Sequence, residues 1–234
     1  MRTAAMLQSN YIPWKGVFDL INRVDVFVFY DDVQFTIKDW RSRNRIPSAN
    51  GDIWLTVPVL TKGKRDQLIC DTMIDRSVNW QQKHHKTLSL VYARAPHIKE
   101  YTSLLNDFYL AREWENLSEM NQYMTRYICS LLGISTEFYS SSDIGASGSK
   151  DGEKVIKICR ELGCDSFLNG PASKAFMDEE KFRQASIKLE YMEYDYPPYP
   201  QLYKPFNHYV SVLDLLFMTG EKAASYIFPG RDKQ

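Results

Sequence analysis

The sequence predicts an α/β protein, a mainly parallel sheet with flanking helices, and three observations carry that reading. Two short apolar runs, "TAAML" at 3–7 and "DVFVFYD" at 25–31, are separated by a single amphipathic segment. Strand-like and helix-like runs then alternate along the whole chain. The apolar fraction of 44% and the charged fraction of 25% suit a globular chain of 234 residues with a sizeable core.

Taken in order, "TAAML" reads as a short buried strand. "GVFDLINRV" places Val17, Phe18, Leu20, Ile21 and Val24 at helical spacing. "DVFVFYD" is a β-branched and aromatic run, as in a strand buried on both faces. Strand, helix, strand makes a βαβ unit with parallel strands and a right-handed crossover. "DIWLTVPVL" predicts a further strand, with Pro58 at an edge or end, and "QLICDTMID" is its candidate partner across the exposed loop "TKGKRDQ". "NWQQKHHKTLSLVYAR" predicts a helix stopped by Pro96. Ile98 to Leu132 predicts helix throughout, closed by Gly133. "STEFYSSSDI" predicts a strand entering a serine-rich loop, and "GASGSKDG" the weakest-ordered segment. "DGEKVIKICRELG" predicts a helix, "DSFLNG" a strand and turn, "IKLEYMEYDY" a strand, and "VSVLDLLFMTG" a closing helix. No repeat or clean linker appears, so residues 1–234 read as one domain with a helical insertion around 77–132.

Composition excludes several classes. Basic and acidic residues balance at 29 each, which argues against DNA as a partner. No apolar run reaches the ~18 residues of a membrane span, and the first residues lack a signal-peptide core. A cytoplasmic location without membrane insertion is therefore expected. Cys70, Cys129, Cys159 and Cys164 have no metal-ligand spacing, so reduced core thiols and no metal are expected. GxSxG, HExxH, GxGxxG and Walker A patterns are absent. The 15 tyrosines and 12 phenylalanines fit a large aromatic core, or a pocket with polar-tipped rings for a sugar or nucleotide.

Ligands in open parallel sheets bind beyond the carboxyl ends of the strands, which directs attention to three segments. The first, "QSNYIPWKG", carries Gln8, Asn10, Tyr11, Trp14, Lys15 and Gly16. It reads either as a ligand turn opening on a helix N-terminus or as a cap, turn and core filler. The second follows Asp31 and Asp32, a carboxylate pair suited to base chemistry or sugar hydroxyls, and carries Gln34, Arg41, Arg43, Asn44 and Arg45. Clustered arginines bind phosphate or carboxylate bidentately, or form a solvated face. The third, "NGPASK", offers Asn169, Gly170 and Lys174 as an anion cradle or an ordinary turn. His84 and His85 are adjacent on a helix, about 100° apart, so they do not chelate one metal; His84 is a candidate acid or base, and Lys83 a candidate phosphate ligand. "YDYPPYPQLYKPF" supplies Tyr199 and Gln201 as pocket-lining candidates, and His208 after it has no assigned role.

The motifs "LQSNYIPWKGVFDLINRVDVFVFYDDVQF", "RSRNRI", "WLTVPV", "VYARAP", "NGPASKAFM", "YPQLYKPF" and "SVLDLLFMTG" together resemble the WbqC-like family over nearly the whole chain. The resemblance implies bacterial surface-polysaccharide (O-antigen) biosynthesis on nucleotide-linked, often amino-bearing sugars. It further implies acyl or aminoacyl transfer, for example of glycine, to the sugar amine. The candidate donors are ATP plus an amino acid, an aminoacyl-tRNA or an acyl-CoA. The opening βαβ is also similar in layout to nucleotidylyltransferase-like Rossmannoid folds such as pantothenate synthetase. Here "NYIPWKG" replaces the H-x-G-H motif and both histidines are missing, so Lys15, Lys83 or an arginine of 41–45 would have to serve electrostatically. On this reading Asp31, Asp32 or His84 is the base. Asn10, Gln34 and the backbone near Gly16 donate to the oxyanion, while Arg41, Arg43, Arg45 and Lys174 hold phosphate. Two alternatives remain: a non-catalytic nucleotide-sugar or carrier-binding protein, and an ATP-dependent amide ligase.

Overall fold

The computed structural model describes residues 1–146 and 152–228. Five short strands form one parallel sheet: β1 (Thr3–Leu7), β2 (Val26–Phe29), β5 (Glu137–Ser140), β6 (Ser166–Asn169) and β7 (Lys188–Tyr191), in the order β5-β2-β1-β6-β7. Ala4 pairs with Val26 and Leu7 with Phe29, the parallel register expected of the opening βαβ unit. The chain runs from β1 leftward to β2 and β5, then returns to β6 on the other side of β1. The order therefore reverses between β1 and β6, where open sheets of this kind leave a crevice.

Side-chain alternation sorts the sheet residues onto two buried faces. Phe27 and Phe29 face a large cluster with α1 (Lys15–Asn22), α2 (Trp80–Val91), α4 (Leu117–Leu131) and α7 (Val212–Thr219). Ala4, Met6, Val26 and Val28 face a smaller cluster with α5 (Glu153–Glu161) and α6 (Glu179–Gln184). The uninterrupted apolar runs of β1 and β2 follow from this double burial.

Three segments depart from the sequence reading. The strand at Ile53–Thr56 (β4) pairs antiparallel not with "QLICDTMID" but with β3 (Arg43–Ile46). In β3, Asn44 and Ile46 are buried while Arg43 and Arg45 are half-buried, so its inward positions alternate polar and apolar and hide the strand. The 67–75 stretch makes only isolated bridges, Val59 with Ile74 and Met73 with Asn116 among them. The stretch from Ile98 to Leu132 is not one helix. It breaks into a 3-10 turn (Ile98–Tyr101), α3 (Thr102–Asn106), a π turn (Asp107–Ala111) and α4, with Arg112 extended between them. The break is fixed by Trp114, whose indole donates to the Phe108 carbonyl at 2.8 Å, and by Asn116, which caps α4 through the Glu119 amide. Beyond β7 the chain runs without regular structure from Met192 to Val210, then forms α7 and α8 (Ala223–Ile227). Most of "GASGSKDG" lies outside the described residues. Among the described residues no helix is long and apolar enough to cross a membrane.

Candidate functional site

The turn after β1 is strained. Ile12 is fully buried at φ +37°, a left-handed conformation that a β-branched residue rarely adopts. Its neighbours over-determine it. The buried Asn44 amide donates to the Ile12 carbonyl at 2.9 Å and to the Tyr11 carbonyl at 3.3 Å. The Tyr11 amide donates to the Trp40 carbonyl at 3.0 Å, and the Val212 amide to the Pro13 carbonyl at 2.8 Å. Loop, hairpin and C-terminal helix thus converge on residues 11–13.

Above this turn lies a cavity of about 230 Å³ lined by Asn10, Trp14, Val17, Trp40, Asn44 and Tyr209. Trp14 forms one wall. Its indole N–H donates to the His208 carbonyl at 2.6 Å, and its ring meets Tyr194, Tyr196 and Tyr209. Gly16 exists at its position because the Trp14 ring lies over it; a Cβ there would fall 2.0 Å from the indole. On the far wall, Trp40 leans on Trp54 with ring centroids 5.5 Å apart. The Arg43 guanidinium lies 4.3 Å from the Trp54 ring, and Arg45 pairs with Asp52 at 3.2 Å. Among the described residues Arg43 has no carboxylate partner, whereas Arg41 is held by Asp39. A larger groove of about 670 Å³ between α5 and α6 is lined mainly by charged side chains, among them the Lys181–Glu153 pair.

Behind Trp14 is a buried polar cluster. Lys15 Nζ sits 3.0 Å from His208 Nδ1 and 5.0 Å from the ring centres of both Tyr196 and Tyr199. Burial lowers the Lys15 ammonium to about 8, with the Asp214 charge opposing. Burial and the Lys15 charge lower His208. Asp214, fully buried on α7, accepts from Tyr92, Tyr199 and Gln201 at 2.9, 2.7 and 2.7 Å. Burial raises its carboxyl, and those three hydrogen bonds oppose the rise.

Of the sequence candidates, Asn10, Trp14 and Asn44 line the cavity, Gly16 lies under the Trp14 ring, Lys15, Tyr199 and Gln201 belong to the cluster behind it, Arg43 and Arg45 lie over Trp54, and the Tyr11 hydroxyl points into the aromatic core. The structure places the other candidates elsewhere. Asp31 is buried and accepts from the Ser9 amide at 2.7 Å, from Gln122 at 3.2 Å and from Ser118. Asp32 pairs with the buried Lys154 at 2.5 Å and accepts from Ser141. His84 lies in the aromatic core, bonded through Nδ1 to Tyr11 Oη at 2.8 Å, and burial lowers it to about 4. Lys83 is exposed on α2, and Gln34 is exposed and bonded to the Arg65 carbonyl. Gln8 is half-buried just past β1. Asn169 folds back on the Gly170 amide, and Lys174 lies over Tyr191. A Cβ at Gly170 would lie 3.3 Å from the Tyr194 hydroxyl, and the Tyr194 ring meets Trp14.

His208, Asp214, Trp40, Trp54 and Tyr209 were not among the candidates read from the sequence. Asp214 had a signal, a lone carboxylate inside the apolar helix "VLDLLFM". His208 had none, since its partner lies 193 residues away. All four cysteines are free, and among the described residues no group of three or more His, Cys, Asp or Glu is placed to hold a metal.

The model of the WbqC-like protein family matches residues 8–226. The uncharacterized protein Rv1507c of Mycobacterium tuberculosis is 41% identical over 228 residues, covering 97% of this chain and 98% of that protein. No solved structure matches.

Proposed function

The chain belongs to the WbqC-like protein family, and from that premise we propose an enzyme that transfers an acyl or aminoacyl group, such as glycyl, to the amine of a nucleotide-linked deoxyamino sugar for a bacterial surface polysaccharide. Family membership suggests the coarser, polysaccharide-related role. The observation that carries the finer one is the cavity walled by Trp14, Trp40 and Tyr209 with Asn10 at its edge. Its place beyond the carboxyl end of β1 is where an open parallel sheet takes ligands. A sugar lays its C–H face on aromatic rings and turns its hydroxyls to amides; a cavity with aromatic walls and few polar groups suits that. Arg43, free of a carboxylate partner among the described residues, suits the diphosphate.

The test is titration calorimetry with dTDP-, UDP- and GDP-linked sugars carrying an amine or a hydroxyl at the same carbon, followed by turnover with acyl-CoA, aminoacyl-tRNA, or ATP plus glycine. We expect an amino sugar to bind at least tenfold tighter than its hydroxyl counterpart, and Trp14→Ala to lose that binding. Equal affinity for the two would remove the amine from the reading. One observation favours a non-catalytic binding protein: Asp31, Asp32 and His84 are all engaged in structural contacts. Binding of a nucleotide sugar without its consumption by any donor would decide for that alternative.

A further inference from the structure

Lys15 is an unusual lysine. It is 2% exposed, and among the described residues no carboxylate lies within ion-pair distance of it. Buried lysines are ordinarily paired. This one instead meets an imidazole nitrogen at 3.0 Å and two tyrosine faces at 5.0 Å. Its partner His208 is half-buried and joins the cavity wall at both ends: its carbonyl holds the Trp14 indole, and the next residue is Tyr209. A buried lysine with no carboxylate in contact with it, one side chain behind a ligand-sized cavity, has no need to exist for packing; a methionine would fill the same space.

We propose that His208 and Lys15 form a proton relay, in which His208 takes a proton from the attacking amine and passes another back to Lys15. The proposal rests on the reading of the site as one of transfer to a sugar amine. At the start Lys15 is a neutral amine, and His208 carries its hydrogen on Nδ1 with a lone pair on Nε2. The sugar amine nitrogen forms its bond to the acyl carbon of a thioester or acyl phosphate. The proton it sheds goes to Nε2, and the Nδ1 hydrogen moves to Lys15 Nζ. The thiolate or phosphate leaves with the electron pair of its bond to carbon. Lys15 ends as an ammonium and His208 as the neutral Nε2–H form, so the one positive charge gained matches the anion released.

The surroundings suit both ends of that step. Burial keeps the neutral amine within reach, since Lys15 titrates at about 8. The tyrosine faces stabilise the cation once formed. Asp214 on α7 supplies negative charge without direct contact, because its oxygens are taken by Tyr92 of the α2 end, Tyr199 and Gln201. On the helix of Lys15 itself, Asp19 is occupied by Arg23 and the Tyr196 hydroxyl. In this relay His208, whose carbonyl holds the Trp14 wall and whose neighbour Tyr209 lines the cavity, is the group that would meet substrate, and Lys15 acts through it.

The deciding experiment is a pH titration of the wild-type chain by nitrogen NMR, with labelled lysine and histidine. We expect Lys15 Nζ to titrate near 8 and His208 to change tautomer over the same range, from Nε2–H below to Nδ1–H above. Lys15 titrating at about 10.4, as in a free side chain, or a His208 tautomer fixed throughout, would overturn the relay. In turnover, kcat should rise with pH up to about 8 and then level. Lys15→Arg, which keeps the charge but cannot lose a proton in this range, should lower kcat at least a hundredfold with KM little changed. Folded Lys15→Arg and His208→Gln chains with wild-type kcat would also overturn it. A coupled titration in a chain that turns over no amino sugar would support the relay and overturn the substrate reading instead.

Discussion

At the scale of the residue, the turn at 11–13 holds a strained backbone by hydrogen bonds from distant side chains. Asn44→Ala would leave the Tyr11 and Ile12 carbonyls buried without their donor, which costs about 1–3 kcal/mol. Urea unfolding should read that loss, and ligand affinity should fall with it as the turn relaxes. An unchanged midpoint would mean that Asn44 does not hold the turn. Gly16→Ala acts differently. Its methyl would occupy the space of the Trp14 ring, so the indole must leave the cavity wall. Far-UV circular dichroism should stay native while tryptophan emission shifts and ligand binding drops tenfold or more. Asp32→Ala strands Lys154, whose side chain is 6% exposed, without an anion. Loss of one partner of a buried pair costs about 3–5 kcal/mol. Asp32→Asn, which keeps an acceptor for Ser141 and Lys154, should cost less; equal losses would show that the charge alone holds the pair and the acceptor adds nothing.

At the scale of the element, α2 carries its histidine into the core. His84 titrates near 4 in the folded chain and near an ordinary ~6.5 in the unfolded one. Between those values the unfolded chain binds more protons, so stability falls as pH drops from about 6.5 to about 4. The loss approaches about 3 kcal/mol for this group. His84→Gln should flatten that part of the stability curve, and an unaltered acid limb would place the titration elsewhere. Elements also divide into those legible in the sequence and those not. β1 and β2 were legible because burial on both faces removes polar residues, leaving continuous apolar runs between turn residues, and α1 because its apolar residues recur at helical spacing. β3 was not, because a buried asparagine stands where a strand reader expects an apolar side chain. The long helix over 98–132 was over-read because its apolar spacing continues through the π turn, and the interruption is made by one indole and one asparagine cap. The site was half legible. Trp14, Lys15, Asn10 and Arg43 could be read from their place after a strand, but the chemistry of Lys15 depends on His208, which no local pattern connects to it.

At the scale of the whole molecule, the titrating groups combine into one stability profile. Lys15 is lowered by burial, so from about 8 to about 10.4 the unfolded chain holds the extra proton and stability rises with pH. Tyr11 and Tyr92, fully buried, are raised far above 10. Above ~10 the unfolded chain loses their protons first, and stability falls. A maximum on the alkaline side of neutrality is expected from pH-dependent thermal unfolding, and Lys15→Met should move it toward neutral. A profile already flat between 8 and 10 would contradict the burial of a titrating lysine. The Trp14–His208 contact spans 194 positions of the chain, and the bridge from Trp14 to Ser211 spans slightly more. Protein synthesis runs from one end to the other, so the turn after β1 must wait for α7. Until that helix has left the ribosome, β1, β2 and β5 can pair, but Trp14 has no wall to close and Lys15 no histidine to meet. The emerging chain thus lacks both contacts until His208 has been added, and a stop codon ahead of that residue would yield a sheet without them.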